Sequence, residues 1–205
     1  MVKKISFSLL AILAILFSLM PFAFYFYDIT FGIINTKSLE VLSNLTWKIT
    51  FHIHIISAGI ALSIGWIQFV PKIRNKYMSF HKIIGNTYFI SAIISSLASI
   101  FISFYATGGK IQIIGFTILG IIWFYTTLMG FFYIKCEEFK LHQKMTVFSY
   151  SACFSGVTLR IWLPLLELIF DDFNTTYATV AWLCWIPNLI VAFIINNSLH
   201  NKYVE

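Results

Sequence analysis

The sequence predicts an all-α membrane protein: a bundle of six transmembrane helices with the N-terminus and the C-terminus in the cytoplasm. Of its 205 residues, 59% are hydrophobic and 11% are charged, whereas soluble domains carry about 25% charged residues. Six apolar segments are long enough to cross a bilayer, which takes roughly 20 residues. We therefore expect residues 1–205 to form a single integral membrane domain.

The predicted spans are joined by short polar loops. They cover about residues 5–27, 47–70, 81–106, 111–135, 142–170 and 176–197. The pair Lys3–Lys4 resembles the start of a signal peptide, but the apolar run after it, ~23 residues, is longer than the usual core of such a peptide. We expect a membrane span there. Cleavage is the alternative, and it would remove the first span.

The lysines and arginines outside the spans determine the predicted orientation. With the N-terminus inside, ten of them lie on the inner side and three on the outer side, and such an excess marks the cytoplasmic face. The inner group is Lys3, Lys4, Lys72, Arg74, Lys76, Lys82, Lys135, Lys140, Lys144 and Lys202, and the outer group is Lys37, Lys48 and Lys110. The formal net charge of +6 thus indicates topology in a bacterial cytoplasmic (inner) membrane rather than nucleic-acid binding.

The three cysteines do not indicate a disulfide scaffold. Cys136 falls in a cytoplasmic loop, and Cys153 and Cys184 fall within spans. None has the C-x-x-C spacing of a redox or metal pair. Composition and motifs leave the reaction open, and whether the protein is an enzyme stays undecided.

Arg160 is the most informative residue for function. It is one of only two arginines and lies within the predicted span 142–170, where a charged side chain costs at least about 3 kcal/mol on insertion scales. Small and polar residues mark the helix faces that look into a membrane bundle. The predicted outer-leaflet ligand pocket consists of His54, Arg160, Glu167, Trp182 and Asn188. The structural alternative pairs Arg160 with Glu167 or with a backbone carbonyl.

Two histidines form a second candidate site near the cytoplasmic surface. His81 opens the third span and His142 opens the fifth, and each is followed closely by a cation, Lys82 and Lys144. Neutral imidazoles from facing bundle helices can ligate haem iron. The pair therefore predicts a b-type haem, with both histidines as metal ligands and the lysines near its propionates. The alternative is that both histidines are ordinary interfacial polar residues.

The sequence supports three hypotheses about function. The first is a haem-binding or electron-transfer protein, whose partners would be the lipid bilayer and a redox protein or a second copy of the chain. The second is a ligand-binding or proton-coupled transport protein that uses Arg160 and His54, since histidine titrates near neutral pH. The third is a membrane assembly or accessory factor. Two histidines are too few for a zinc site.

The positions of His81 and His142 on the third and fifth spans resemble those of the six-helix ascorbate-reducible b-type cytochromes. The resemblance implies a second histidine pair from the second and fourth helices. This fourth span contains no histidine, so His54 has no such partner. A two-haem arrangement is therefore not expected.

Motifs that recur in order across five spans are similar to the predicted bacterial membrane proteins of domain-of-unknown-function family 2306. The resemblance covers about residues 50–190 and rests on the runs His54-x4-Gly59-x-Ala61-Leu62-x2-Gly65-x2-Gln68-Phe69, Arg74, His81-x3-Gly85-x2-Tyr88, Trp123-x2-Thr126-Thr127, His142-x2-Met145, Thr158-Leu159-Arg160-Ile161-Trp162-Leu163-Pro164 and Ala181-Trp182-x2-Trp185-x-Pro187-Asn188-Leu189. Lys82 departs from the arginine expected after the histidine. The resemblance implies a polytopic membrane protein and no established activity.

Overall fold

The computed structural model describes residues 2–20 and 32–201, and every regular element within these ranges is a helix. The α-helices are α1 (Val2–Ser18), α2 (Leu39–Ser43), α3 (Leu45–Gly65), α4 (Pro71–Lys76), α5 (Met78–Ser103), α6 (Lys110–Lys135), α7 (Phe139–Cys153), α8 (Ser155–Glu167), α9 (Phe173–Leu183) and α10 (Ile186–Asn201). Two 3-10 helices, Gly32–Thr36 and Trp66–Phe69, precede α2 and α4 respectively.

Within the described ranges, four segments are long and apolar enough to span a bilayer. They are Leu45–Phe69, Met78–Ser103, Lys110–Lys135 and Phe173–Ser198, the last of which joins α9 and α10. The all-helical membrane architecture is thus confirmed. The count of six spans and the cytoplasmic position of both termini stay predictions. The first predicted span, 5–27, is helical as α1, and its part beyond residue 20 lies outside the described residues.

The predicted fifth and sixth spans are each divided into two helices. α7 and α8 meet at Phe154, and the Ser155–Gly156 pair directly after it is a common cause of a sharp kink. α9 and α10 meet at Cys184–Trp185, shortly before Pro187. A proline lacks the N–H that would continue the helical hydrogen bonds. Both interruptions lie in the middle of the apolar segments.

Four helices surround the centre of the bundle in the order α3, α5, α6 and α7, and α3 closes this ring on α7. α5 and α7 are therefore diagonally opposite each other. α1 packs outside the ring on α3, α9 packs on α6 and α8, and α10 packs on α7. The two predicted histidine helices of the inner site thus face each other across the ring.

Contacts between neighbouring helices determine their directions. At the α5–α6 and α6–α7 interfaces, residue numbers rise along one helix while the numbers of their contact partners fall along the other. Adjacent helices are therefore antiparallel. The pairs are Ser103–Thr117 and Phe89–Phe131 between α5 and α6, and Thr127–Ser149 and Gly130–His142 between α6 and α7. It follows that α5 and α7 run in the same direction.

A layer of aromatic and hydroxyl side chains packs the centre of the ring. We call it the middle layer and define it as Gly65, Tyr88, Trp123, Thr127, Ser149 and Tyr150. A methyl group on Gly65 would lie 2.5 Å from the Tyr150 ring and 2.8 Å from the Tyr88 ring, so the close approach of α3 requires glycine. The Tyr150 hydroxyl then donates to the Leu62 carbonyl at 3.0 Å.

On the predicted outer side, the first 3-10 helix is held against the loop between α5 and α6. Lys37 donates from Nζ to the Tyr105 carbonyl and to Thr107 Oγ1, the latter at 3.1 Å. Thr36 Oγ1 lies 3.0 Å from the same Thr107 oxygen. Burial in this contact lowers the pKa of Lys37 from 10.5 to about 8, because desolvation disfavours the charged amine.

Candidate functional site

The inner histidines lie toward the same end of the two diagonal helices, within electrostatic reach of each other. The Tyr88 hydroxyl of α5 lies 2.7 Å from Ser149 Oγ of α7, which aligns these two parallel helices. His81 precedes Tyr88 by seven residues and His142 precedes Ser149 by seven, which is about 10.5 Å or two turns on each helix. Both histidines therefore lie on the helix faces that meet in the middle layer, two turns closer to the predicted cytoplasmic end.

His142 is held in a defined orientation by α6. Its Nδ1 lies 2.7 Å from the Gly130 carbonyl oxygen. Because a carbonyl only accepts, Nδ1 carries the proton, and Nε2 of the neutral ring keeps a free lone pair. Metal-ligating histidines are commonly held by such a bond from their other nitrogen.

His81 brings a buried nitrogen that the protein does not satisfy. Its Nδ1 is buried and has no hydrogen-bond partner among the described residues. Its carbonyl accepts from Gln68 Nε2 at 3.2 Å, and its ring lies within electrostatic reach of Arg74 and His142. A buried polar group without a partner costs roughly 1–3 kcal/mol, so a ligand that bonds this nitrogen would remove a penalty.

The two predicted lysines lie at the same end of the bundle as these histidines. Lys82 and Lys144 are both exposed. The Lys144 backbone carbonyl accepts from Asn196 Nδ2 at 3.3 Å, which ties α7 to α10. Arg74, which the sequence reasoning did not assign to the site, is the cation within electrostatic reach of His81. It lies near the end of the short helix α4. The packing of α4 on α5 brings it close to His81, and this packing cannot be read from the sequence.

The hydroxyl groups of the middle layer form a chain that ends on the backbone. Thr127 Oγ1 donates to the Trp123 carbonyl at 2.7 Å and lies 2.6 Å from Ser149 Oγ. Each hydroxyl has one hydrogen, so Ser149 donates to Thr127 and accepts from Tyr88. The chain therefore stops at a carbonyl, which cannot pass a proton onward.

His54 lies on the other side of the middle layer, against α5. Its Nδ1 is 3.0 Å from the Ser95 carbonyl, and Ser95 Oγ donates back to the His54 carbonyl at 3.1 Å. This reciprocal contact orients the imidazole and, as for His142, leaves Nε2 of the neutral ring as an acceptor. Ser95 follows Tyr88 by seven residues, so His54 is about 10.5 Å further from the inner histidines.

Arg160 is half-buried in α8 and within electrostatic reach of His54. Its Nη1 donates to the Gly156 carbonyl of its own helix at 2.6 Å. No carboxylate among the described residues pairs with it. Of the predicted pocket residues, the imidazole of His54 and the guanidinium of Arg160 are thus the two that lie within electrostatic reach of each other among the described residues.

The contacts described for the other three predicted pocket residues are with groups other than Arg160 and His54. Glu167 is exposed at the end of α8, and no ion pair within the described ranges joins it to Arg160. Trp182 packs between α9 and α6, where a methyl group on Gly115 would meet its ring at 3.2 Å. Its ring centroid lies 5.7 Å from that of Trp185.

Asn188 is engaged in a contact that joins the two helix interruptions, which we call the clasp. Its Nδ2 donates to Thr158 Oγ1 at 3.1 Å and to the Cys184 carbonyl at 3.0 Å. Thr158 Oγ1 also donates to the Cys184 carbonyl. The clasp thus satisfies a carbonyl at the break between α9 and α10 with side chains from α8 and α10.

The described residues contain no group of three or more His, Cys, Asp or Glu side chains arranged to hold a metal ion.

A family model described as a predicted membrane protein, DUF2306, matches residues 51–196. The chain belongs to this family. The match covers α3 to α10 apart from their outermost residues, and therefore both histidine sites and Arg160.

The DUF2306 assignment establishes an integral membrane protein with several apolar helices. No curated protein and no solved structure matches the chain. The function of this DUF2306 protein must therefore be argued from its side chains.

Proposed function

We propose that this DUF2306 protein binds one b-type haem between His81 and His142 and serves in electron transfer. The observation that carries the proposal is the placement of two imidazoles toward the same end of the diagonal, parallel helices α5 and α7, within electrostatic reach of each other. This is how bundle proteins build cofactor sites from facing helices. A bound haem would supply a one-electron couple within the membrane.

The chemistry of the donor set fits this group. His142 offers a free Nε2 because Gly130 holds its Nδ1, and His81 carries a buried nitrogen without a partner. Arg74, Lys82 and Lys144 supply positive charge at the same end of the bundle, where carboxylates of a cofactor would be compensated.

The test is a visible absorption spectrum of protein purified in detergent from haem-replete cells, oxidised and then reduced with dithionite. We expect a Soret band and sharp α and β bands in the reduced state. His81→Ala and His142→Ala should each lose the low-spin spectrum. His52→Ala is the matched control, because His52 bonds the carbonyl of Lys48 in its own helix. A colourless wild-type protein, or variants that keep its spectrum, would contradict the proposal.

A second candidate function, binding of a ligand at Arg160 and His54, is favoured by one separate observation. Arg160 is a cation within an apolar helix, and no described carboxylate pairs with it. Ionisable residues inside a membrane are functional sites by default. The packed middle layer lies between this region and the inner histidines, which favours binding over proton-coupled transport.

A further inference from the structure

Arg160 is held deep in the membrane rather than drawn toward its surface. Helical side chains tilt toward the N-terminus of their helix, and α8 begins at Ser155, in the middle of the predicted span. The bond from Nη1 to Gly156 keeps the guanidinium on that side. Long cationic side chains usually extend to the membrane surface instead. Glycine at 156 leaves room for this bond, since a methyl group there would lie 3.3 Å from Nη1 and require a small shift of the guanidinium.

Most of the hydrogen-bonding capacity of Arg160 is left for a ligand. A guanidinium has five N–H donors in a planar fork, and the Gly156 carbonyl is the acceptor described for it. That fork matches the two oxygens of a carboxylate or phosphate, and such charge-assisted bonds are about twice as strong as neutral ones.

The charge of the pocket selects a monoanion. Arg160 contributes one positive charge, and His54 in its neutral form contributes an Nε2 acceptor, because its Nδ1 bonds the Ser95 carbonyl. A single negative charge balances this pair. A dianionic phosphate monoester would leave one negative charge uncompensated in an apolar setting, which is strongly unfavourable.

The surroundings restrict the approach to the predicted outer side. The middle layer closes the route toward the inner histidines with the rings of Tyr88 and Tyr150 against Gly65. On the outer side, Trp47 lies on the same face of α3 as His54, seven residues earlier. Its indole nitrogen is buried without a partner among the described residues, so a donor is available along that face.

We infer that Arg160 and His54 bind the carboxylate group of a monoanionic ligand in the outer half of the membrane. The carboxylate accepts from the Arg160 fork, and His54 accepts from a hydroxyl or water next to it. The inference names the ligand class for the second candidate function above and rests on it. It is independent of the haem at the inner site. The carboxylate comes either from a membrane amphiphile or from a small water-soluble acid.

The test uses the full chain in phosphatidylcholine nanodiscs with two probes, oleate and acetate, each labelled with carbon-13 at the carboxyl group. We expect one of the probes to give a carboxyl resonance that saturates at one bound ligand per protein. The bound carboxylate should stay ionised at a lower pH than the free acid in the same bilayer. Saturation by oleate alone identifies a membrane amphiphile, and saturation by acetate identifies a small acid as sufficient.

Variants then locate the bound carboxylate. Arg160→Gln should weaken binding about 10- to 100-fold, as expected for loss of a charge-assisted hydrogen bond. Arg160→Lys, which keeps the charge without the fork, should fall between this variant and the wild type. Lys76→Gln, which removes an exposed positive charge at the end of α4, should bind like the wild type. If Arg160→Gln does not fold, Arg160→Lys and the wild-type titration still decide.

Three results would overturn the inference. The first is no saturable resonance with either probe, and the second is the same carboxylate affinity in the wild type, Arg160→Lys and Arg160→Gln. The third is tighter binding of inorganic phosphate than of either carboxylate. The last result would leave a ligand site at Arg160 but of another class. The visible spectrum of the same samples reports separately on the inner site, so failure at one site is not confused with failure at the other.

Discussion

At the scale of single residues, the structure shows how polar side chains are positioned in an apolar bundle by backbone carbonyls. His142, His54 and Arg160 each donate to a carbonyl, from Gly130, Ser95 and Gly156 respectively. In each case the bond fixes one end of the side chain and leaves its remaining nitrogens for another partner. The orientation of these groups is thus determined before any ligand arrives.

Lys37 allows a residue-level prediction about pH. Its pKa is about 8 in the folded protein and 10.5 when unburied, so between these values the unfolded chain binds more protons. Stability therefore rises with pH across this window. We expect the unfolding temperature of the wild type to increase from pH 8 to pH 10.5 relative to that of Lys37→Met. Parallel curves for the two proteins across this window would show that the pKa of Lys37 is not lowered in the folded protein.

The residue types of the sites were predictable from sequence, but their partners were not. His54, His81, His142 and Arg160 stand out because polar residues are rare in apolar spans. Gly130 and Ser95 contribute through their carbonyls, which every residue has, so no sequence pattern marks them. Asn188 is predicted from sequence as a pocket residue, whereas its engagement in the clasp depends on how α8 and α10 pack.

At the scale of elements, the clasp joins two helices at the points where both are interrupted. Its bonds connect Asn188 with Thr158 and with the Cys184 carbonyl. Interrupted helices in membranes need such partners, because an unsatisfied carbonyl in an apolar medium costs several kcal/mol. The clasp therefore supplies partners for one carbonyl at the break before Pro187.

A double-mutant cycle measures the clasp. Asn188→Ala and Thr158→Val should each destabilise the protein, and the coupling between them should be about 0.6 kcal/mol, with an upper value near ~1.7 kcal/mol, as found for hydrogen bonds between membrane helices. The free energy of unfolding by steric trapping in bicelles is the measurement. Asn188→Ala combined with Thr87→Val is the control, because Thr87 bonds its own helix. Coupling within error of zero would mean that the contact does not contribute to stability.

The long helices were predictable as elements, whereas the interruptions were not. α3, α5 and α6 begin and end within a few residues of the predicted second, third and fourth spans, because length and hydropathy alone define them. The break at Phe154 lies beside the Ser155–Gly156 pair, ten residues before Pro164. Pro164 itself lies within α8, so the prolines were an incomplete guide to where the chain bends.

At the scale of the whole molecule, the excess of basic residues on one side predicts the orientation in the membrane, and the structure provides a means to check it. Cys136 is exposed, whereas Cys153 and Cys184 are buried. A membrane-impermeant maleimide should therefore label Cys136 in inside-out vesicles and not in intact cells. Cys136→Ser should abolish this labelling.

The opposite face needs its own reporter. Lys110→Cys in the Cys136→Ser background places a single exposed thiol at the start of α6, on the predicted outer side. It should react in intact cells. Labelling of Cys136 in intact cells, or of the Lys110→Cys thiol only in inside-out vesicles, would invert the predicted topology.

The middle layer also has an electrical consequence. A packed layer between two polar regions is where the transmembrane voltage falls most steeply, and moving one charge across 100 mV involves about 2.3 kcal/mol. Because the hydroxyl chain from Tyr88 ends at the Trp123 carbonyl, this chain does not carry protons through the layer. We therefore expect the inner histidines and Arg160 to equilibrate with opposite sides of the membrane and to interact through the electric field across the layer.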